Sequence, residues 1–321
     1  MSLTLQSVAE ARARISGIAL RTPLIRLNTD GLVNTNADAD RTDEVFLKLE
    51  SLQPIGSFKI RGAASAMMHA SRVTIERGVL TASAGNMAQG VAYCARKLGV
   101  PATVITPDSA PETKLRAVER LGARIVKVPF DTWWRTFEER SFPGIDATFV
   151  HAFDDPDVQA GNGTIGLELL EDLPDVDAIA IPWGGGGLLC GIAAVIKELR
   201  PETRIYAVEC ETGAPLSASL AAGSPQIVDY RPSFVDGIAS KTVLPGMFKG
   251  AQKLLDGSIV VTLAEAAAAV RLVAERSRVI CEGAAACAVA AVLAGKAGRG
   301  KVVAIVSGGN IDMAKFGELI R

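Results

Sequence analysis

Only two histidines occur in the 321 residues, and the five cysteines, Cys94, Cys190, Cys210, Cys281 and Cys287, show no CxxC spacing. A structural zinc site needs several such ligands at short intervals, so none is expected. The cysteines are odd in number and stand in apolar segments where a small hydrophobe would serve, which fits free thiols in a reducing cytoplasm. Excess charge of one sign is also missing. Thirty-four basic residues against 35 acidic ones leave a formal charge of −1, and no basic run could neutralise a line of phosphates. Nucleic acid is therefore not the expected partner. The opening MSLTLQSVAEARARIS carries charge where a signal peptide needs its apolar stretch, so no export segment is expected. One long uncharged run exists, AIAIPWGGGGLLCGIAAVI at 178–196, but Pro182 and four successive glycines would interrupt a helix crossing a lipid bilayer. It reads instead as a buried strand, a glycine turn and a buried helix, and no membrane is expected as a partner.

The chain has 49% hydrophobic residues arranged as short β-branched runs alternating with helical patterns, the signature of an α/β protein with parallel sheets. Strands are predicted at 45–50, 79–84, 102–107, 124–129, 178–182, 204–209 and 302–307. Helices fill the gaps: one closes at Gly99, one opens on Pro111 and closes near Gly122, and one is the alanine-rich AEAAAAVRLVAERS. The block 75–149 holds three strand-helix repeats and ends in the turn-rich SFPGID. This divides the chain into a small domain at 75–149 and a large one made of 1–74 and 150–321. The segment 28–43 reads as an exposed polar loop. In such sheets ligands bind at the carboxyl ends of the strands, in the crevice between the lobes.

Several motifs fall at those ends. Gly184, Gly185, Gly186, Gly187 and Leu188 follow a strand and open a helix, so bare backbone N–H groups can surround a phosphate; a tight packing turn is the plainer explanation. Lys59 lies in SLQPIGSFKIRGA, where Gly56 makes a turn, Ser57 an N-cap, and Phe58 and Ile60 can desolvate the amine, lowering its pKa; a surface lysine is the alternative. Ser83, Ala84, Gly85, Asn86 and Met87 end one strand and start a helix, giving donors suited to a carboxylate, or simply a helix cap. Ser307, Gly308, Gly309 and Asn310 end the last strand in a turn.

Taken in order, SFKIRGA, SAGN with AQGVA one residue later, HAFDDPDVQAGNGTIGLE, PWGGGGL and SGGN resemble the threonine/serine dehydratase branch of the fold-type II pyridoxal-phosphate (PLP) enzymes, a tryptophan synthase β-like fold of two open parallel-sheet lobes. The likeness spans nearly the whole chain. It implies a Schiff base between PLP and Lys59, the cofactor phosphate in the 184–188 loop, Asn86 near the 3′-oxygen and Phe58 beside the ring. Ser307 would bond the pyridine nitrogen as a neutral partner, which weakens the electron sink and favours prompt β-elimination. The substrate carboxylate would dock on residues 83–87, and Lys59 would take the α-proton. The hydroxyl would leave with the cofactor phosphate as acid, so that threonine gives 2-oxobutanoate, serine gives pyruvate, and both give ammonia. A homodimer is implied, and no catalytic metal is required.

Departures from the family pattern keep other readings open. Met87 stands where His is usual, which leaves the substrate undecided and raises the possibility of a protein that binds PLP without turnover. Ala84 replaces the serine that gives serine racemases their second acid/base, so racemisation is a competing activity. A racemase-type cation site would use Glu209, but Pro215 stands where a second acidic ligand is expected, and a strand-end carboxylate is the simpler reading. Trp133 and Trp134 are expected as one core and one surface aromatic, or as shapers of a pocket for phenylserine or 3-hydroxyaspartate. His69 and His151 are expected to be structural. The chain stops soon after SGGN, so no C-terminal regulatory domain and no feedback control by isoleucine are expected.

Overall fold

Runs of buried β-branched residues form the strands of the computed structural model, which describes residues 3–31 and 44–321. The strands are β1 (Leu24–Arg26), β2 (Glu44–Leu49), β3 (Val79–Ala82), β4 (Ala102–Pro107), β5 (Arg124–Val128), β6 (Thr148–Phe149), β7 (Ala178–Pro182), β8 (Arg204–Cys210), β9 (Gly257–Val261) and β10 (Lys301–Val306). All seven predicted strands are present, and β1, β6 and β9 are additional. The polar loop expected at 28–43 lies outside the described residues from 32 onward.

One sheet has six strands in the order β1-β2-β10-β7-β8-β9, and the other has four in the order β5-β4-β3-β6. Every pairing is parallel except β1 with β2, where Leu24 faces Lys48. The larger sheet is therefore mixed rather than wholly parallel. A three-residue edge strand with exposed Arg26 pairs by doubling back beside its neighbour, whereas the interior strands need crossover helices. The four-stranded sheet is built entirely from residues 79–149.

Helices cover both sheets. The helix Gly283–Leu293 is alanine-rich and buried along nearly its whole length beneath the large sheet, where small side chains allow close approach. Val303, Ile305 and Val306 of central β10 are fully buried; each such side chain contributes roughly 1.5–3 kcal/mol. The uncharged run 178–196 resolves into β7, the glycine turn and the helix Gly187–Leu199, and no described helix is long and apolar enough to cross a membrane. All five cysteines are buried and free.

The helix Lys59–His69 lies between the helices Asn86–Leu98 and Pro156–Asp172. Its buried Arg61 binds Glu50 at 2.8 Å and Glu168 at 2.7 Å, and Lys48 binds the same Glu168 at 2.6 Å. Burial alone would raise the Glu50 carboxyl and lower the Arg61 guanidinium, but their mutual charge and hydrogen bonds prevail, holding Glu50 low and Arg61 high. These ions sit behind the helix, away from the cleft.

Candidate active site

Parallel strands aim their carboxyl ends the same way, and Ala82 of β3, Pro107 of β4, Pro182 of β7 and Ser307 after β10 all line one cleft of about 470 Å³ between the sheets. Lys59, the first residue of its helix, points there. The helix start differs from expectation: Phe58 is the N-cap residue, while the Ser57 hydroxyl accepts the Lys59 N–H at 3.3 Å. The approach is fixed by backbone bonds to the last-strand turn, Phe58 N–H to the Ser307 carbonyl at 3.0 Å and Gly309 N–H to the Gly56 carbonyl at 2.9 Å. Lys59 Nζ donates to the Ala152 carbonyl at 2.7 Å and lies 5.1 Å from the centre of the Phe58 ring. Burial lowers its pKa to about 8, against the opposing charge of Glu282.

Residues 83–87 join β3 to the helix Asn86–Leu98. Gly85 is the N-cap residue and brings no capping side chain, so the first N–H groups of that helix face the cleft mouth without intrahelical partners. Asn86 is held on both ends of its amide: Nδ2 donates to Glu282 Oε1 at 3.0 Å, and Oδ1 accepts from Asn310 at 2.7 Å. Met87 is buried in the apolar cluster with Ile60, Ala63 and Val91, so its thioether leaves no polar hole where histidine is usual. Ala84 lines the cleft with a methyl group.

The 184–188 loop has to be glycine for reasons of space. A Cβ on Gly185 would come within 2.1 Å of the Phe153 ring, one on Gly187 within 2.7 Å of Phe153 Cβ, and Gly186 sits at φ +89°. Leu188 is nearly buried in the helix Gly187–Leu199. The result is a bare backbone cradle at a helix N-terminus, the arrangement that holds a phosphate dianion. Ser307 is buried at the cleft wall, and among the described residues its hydroxyl has no protein partner. An amine of lowered pKa, a glycine cradle and an unpartnered hydroxyl around one cavity fit the three attachment points of PLP.

Three groups here were not anticipated. Glu282, N-cap residue of the helix Gly283–Leu293, turns its buried carboxylate to the cleft; burial raises it to about 7, with the Asn86 hydrogen bond pulling down and Asp236 pushing up. It sits in CEGAA, which matches no motif, so the sequence offers no signal for it. Asp236 binds Lys114 at 2.6 Å across the mouth of the cleft. Phe153 belongs to the HAFDD turn, and its ring covers the cradle.

Other expected residues lie elsewhere. His151 Nδ1 accepts the Asp154 N–H at 2.8 Å, and burial, with the charges of Arg140 and Lys59, lowers its pKa to about 3, so it is a neutral turn-former. His69 pairs with Asp157 on the surface. The Glu209 carboxylate accepts Leu216 N–H and Ser217 N–H at 2.8 Å, at the start of the helix Pro215–Ala222. No group of three or more metal-ligating side chains occurs among the described residues.

Comparison with known proteins agrees with this geometry. Residues 15–308 match the family model described as pyridoxal-phosphate dependent enzyme. An L-threonine ammonia-lyase of Thermotoga maritima is 40% identical over 99% of this chain and 78% of its own. The processed form of threonine deaminase isoform 2 from Solanum lycopersicum superposes with a TM-score of 0.86 at 33% identity, covering 98% of this chain and 91% of that one. Maize serine racemase also superposes at 0.86, with 30% identity over 99% and 97% of the two chains. With the motifs, the cleft and its lysine all falling inside the matched region, this chain belongs to the pyridoxal-phosphate dependent enzymes.

Proposed function

We propose that this enzyme eliminates the β-hydroxyl of L-threonine, and of L-serine, to give 2-oxobutanoate or pyruvate with ammonia. The observation that carries the reading is the state of Lys59: an amine brought to about pKa 8, held by one neutral carbonyl and aimed into a cleft that has a glycine cradle at one end and a helix N-terminus at the other. The relatives named as threonine ammonia-lyase and threonine deaminase support the same substrate.

In this reading Lys59 carries the cofactor, and Gly184, Gly185, Gly186, Gly187 and Leu188 hold its phosphate. Ser307 offers its hydroxyl to the pyridine nitrogen, Asn86 faces the 3′-oxygen, and Phe58 packs beside the ring. When bound, PLP supplies the electron sink that makes the substrate α-proton acidic. Ser83, Ala84, Gly85, Asn86 and Met87 receive the substrate carboxylate on the free N–H groups of the helix start. Lys59 would take the α-proton; its burial, which lowers the pKa to about 8, favours the neutral, proton-accepting amine more than the surroundings of an ordinary lysine do. Water is lost at the β-carbon and regained on hydrolysis of the enamine product, so ammonia is the net leaving group. Ala84 places no hydroxyl where a second proton carrier would stand, which favours elimination over racemisation. The sheet of residues 79–149 belongs to a small domain of 75–149 set against a large domain of 1–74 and 150–321. A homodimer working in the cytoplasm completes the reading.

The test supplies purified holoenzyme with L-threonine, L-serine and D-serine separately and follows 2-oxo acid and ammonia. Equimolar 2-oxobutanoate and ammonia from L-threonine is the expected result. Conversion of L-serine to D-serine without 2-oxo acid would overturn elimination in favour of racemisation, and cofactor spectral change without any product would leave a binding protein.

A further inference from the structure

Phe130, Trp133, Trp134 and Phe137 follow one another at i, i+3, i+4 and i+7 on the helix Phe130–Glu139, a spacing that puts them on one face. That helix packs on β3 and β4, beside the start of the 83–87 loop. The two tryptophans do different things. Trp133 packs against the core of the small sheet with Leu80, Ile105 and Val128, reaching the cleft only with the part of its ring the core leaves uncovered. Trp134 joins no core cluster among the described residues; half-buried, it stacks on Phe137 with ring centres 5.5 Å apart and planes inclined by 21°, and it lines the cleft.

From Trp134 the aromatic surface continues inward. Phe137 lies 5.5 Å from Phe153, whose ring covers the glycine cradle and whose neighbour Ala152 holds Lys59 Nζ. A substrate carboxylate on the 83–87 loop and an α-carbon within reach of Lys59 leave the β-substituent to face this surface. A methyl group would cover little of it, whereas an aryl ring can meet it at the 4.5–7 Å centroid separations that aromatic pairs favour.

Charge excludes the acidic option. Among the described residues, Lys59 and Lys114 are the only cations in the lining, Asp236 and Glu282 are its carboxylates, and Lys114 is already paired with Asp236 at 2.6 Å. A second substrate carboxylate would find no uncommitted cation apart from the lysine that does the chemistry.

We propose that Trp134 is a specificity-determining residue, and that the cleft favours β-hydroxy amino acids whose β-carbon carries an aryl or similarly large apolar group over those carrying hydrogen, methyl or carboxylate. This rests on the elimination reading and deepens it: threonine and serine remain substrates of the same reaction, and the aryl analogue is the one turned over with the higher kcat/KM.

The test measures kcat/KM of the holoenzyme for L-threo-phenylserine, L-threonine and 3-hydroxyaspartate, alongside Trp134→Ala and Trp134→Phe. Phenylserine is expected to exceed threonine by about tenfold or more, since even one methylene in an apolar pocket discriminates roughly 10–200-fold. Trp134→Ala is expected to cut the phenylserine-to-threonine ratio at least about tenfold, and Trp134→Phe to keep most of it. Threonine equal to or better than phenylserine in the wild type, or an unchanged ratio in Trp134→Ala, would overturn the assignment. A second arm titrates L-phenylalanine and L-2-aminobutyrate, neither of which has a β-hydroxyl to lose, and reads the shift in cofactor absorbance. Tighter phenylalanine binding that Trp134→Ala abolishes supports the wall, and equal binding overturns it. If no substrate yields 2-oxo acid the elimination reading fails, while this second arm still decides the role of Trp134.

Discussion

Lys48 and Lys59 are both drawn in from solvent, and the molecule treats them in opposite ways. Lys48 is fully buried and met by a carboxylate, with Nζ 2.6 Å from Glu168 and 2.7 Å from the Thr22 carbonyl. Around it Arg61, Glu50 and Glu168 complete a set in which each ion has an opposite partner. Lys59 receives only the Ala152 carbonyl, and among the described residues it makes no ion pair. Glu282, whose negative charge acts on it from further off, hydrogen-bonds the neutral amide of Asn86. Paired burial locks charge in place; unpaired burial makes it titratable near neutrality, where proton transfer is useful. The same helix carries both kinds of site, Lys59 on the cleft side and Arg61 on the ionic side.

Four measurements would break or sharpen that contrast. Lys59→Met keeps the aliphatic stem and removes the amine, so kcat/KM is expected to fall by about a thousandfold or more. The apoprotein should not lose urea resistance at pH 7, because the removed charge was one that folding disfavoured; clear destabilisation would make Lys59 a structural ion like Lys48. Arg61→Met should do the reverse. Leaving Glu50 and Glu168 short of a partner is expected to cost about 3–5 kcal/mol in urea denaturation.

The third concerns pH. If PLP attaches through Lys59 as proposed, attachment to apoprotein requires the neutral amine, so with a pKa of about 8 the rate should rise through that pH and then level off. Between pH 7 and 9 the neutral fraction grows by about tenfold. A rate still climbing steeply above pH 9 would show an ordinary lysine. The fourth concerns Glu282, whose folded pKa of about 7 lies above its ordinary 4.5. Folding thus disfavours its ionised form, by little at pH 5 and fully above pH 7. Glu282→Gln, which keeps an acceptor for Asn86, should therefore stabilise the apoprotein by roughly 2–3 kcal/mol more at pH 8 than at pH 5. An equal effect at both pH values would mean the carboxyl is not strained.

Much of the architecture was readable because its cause is local. Seven strands announced themselves as β-branched runs, and Gly99, at φ +69°, stops its helix where the sequence placed the stop. What escaped was set by distant neighbours. β1 and β6, of three and two residues, are strands only because β2 and β3 offer edges to pair with. At the site, Lys59, the 83–87 loop, the glycine loop and Ser307 carry motifs, and the fold gathers them around one cleft. Glu282 and Asp236 carry none, since their significance arises only from burial and from partners far off in sequence. Trp134 was ambiguous for the same reason: a helix pattern tells which residues share a face, not which ring the core takes.

The glycines flanking the lysine helix have a mechanical meaning. A Cβ on Gly161 would fall 2.3 Å from the Arg61 carbonyl oxygen, and one on Gly90 3.2 Å from that of Lys59, so main chain touches main chain on both sides. Such joints have no rotamers to adjust and no soft side chain to compress. Lys59 is in effect a short lever clamped in a stiff bearing, and the only compliant part is its four-carbon stem. Reach is thereby built into the backbone, and a lysine moved one position along the helix would find nothing around it able to yield.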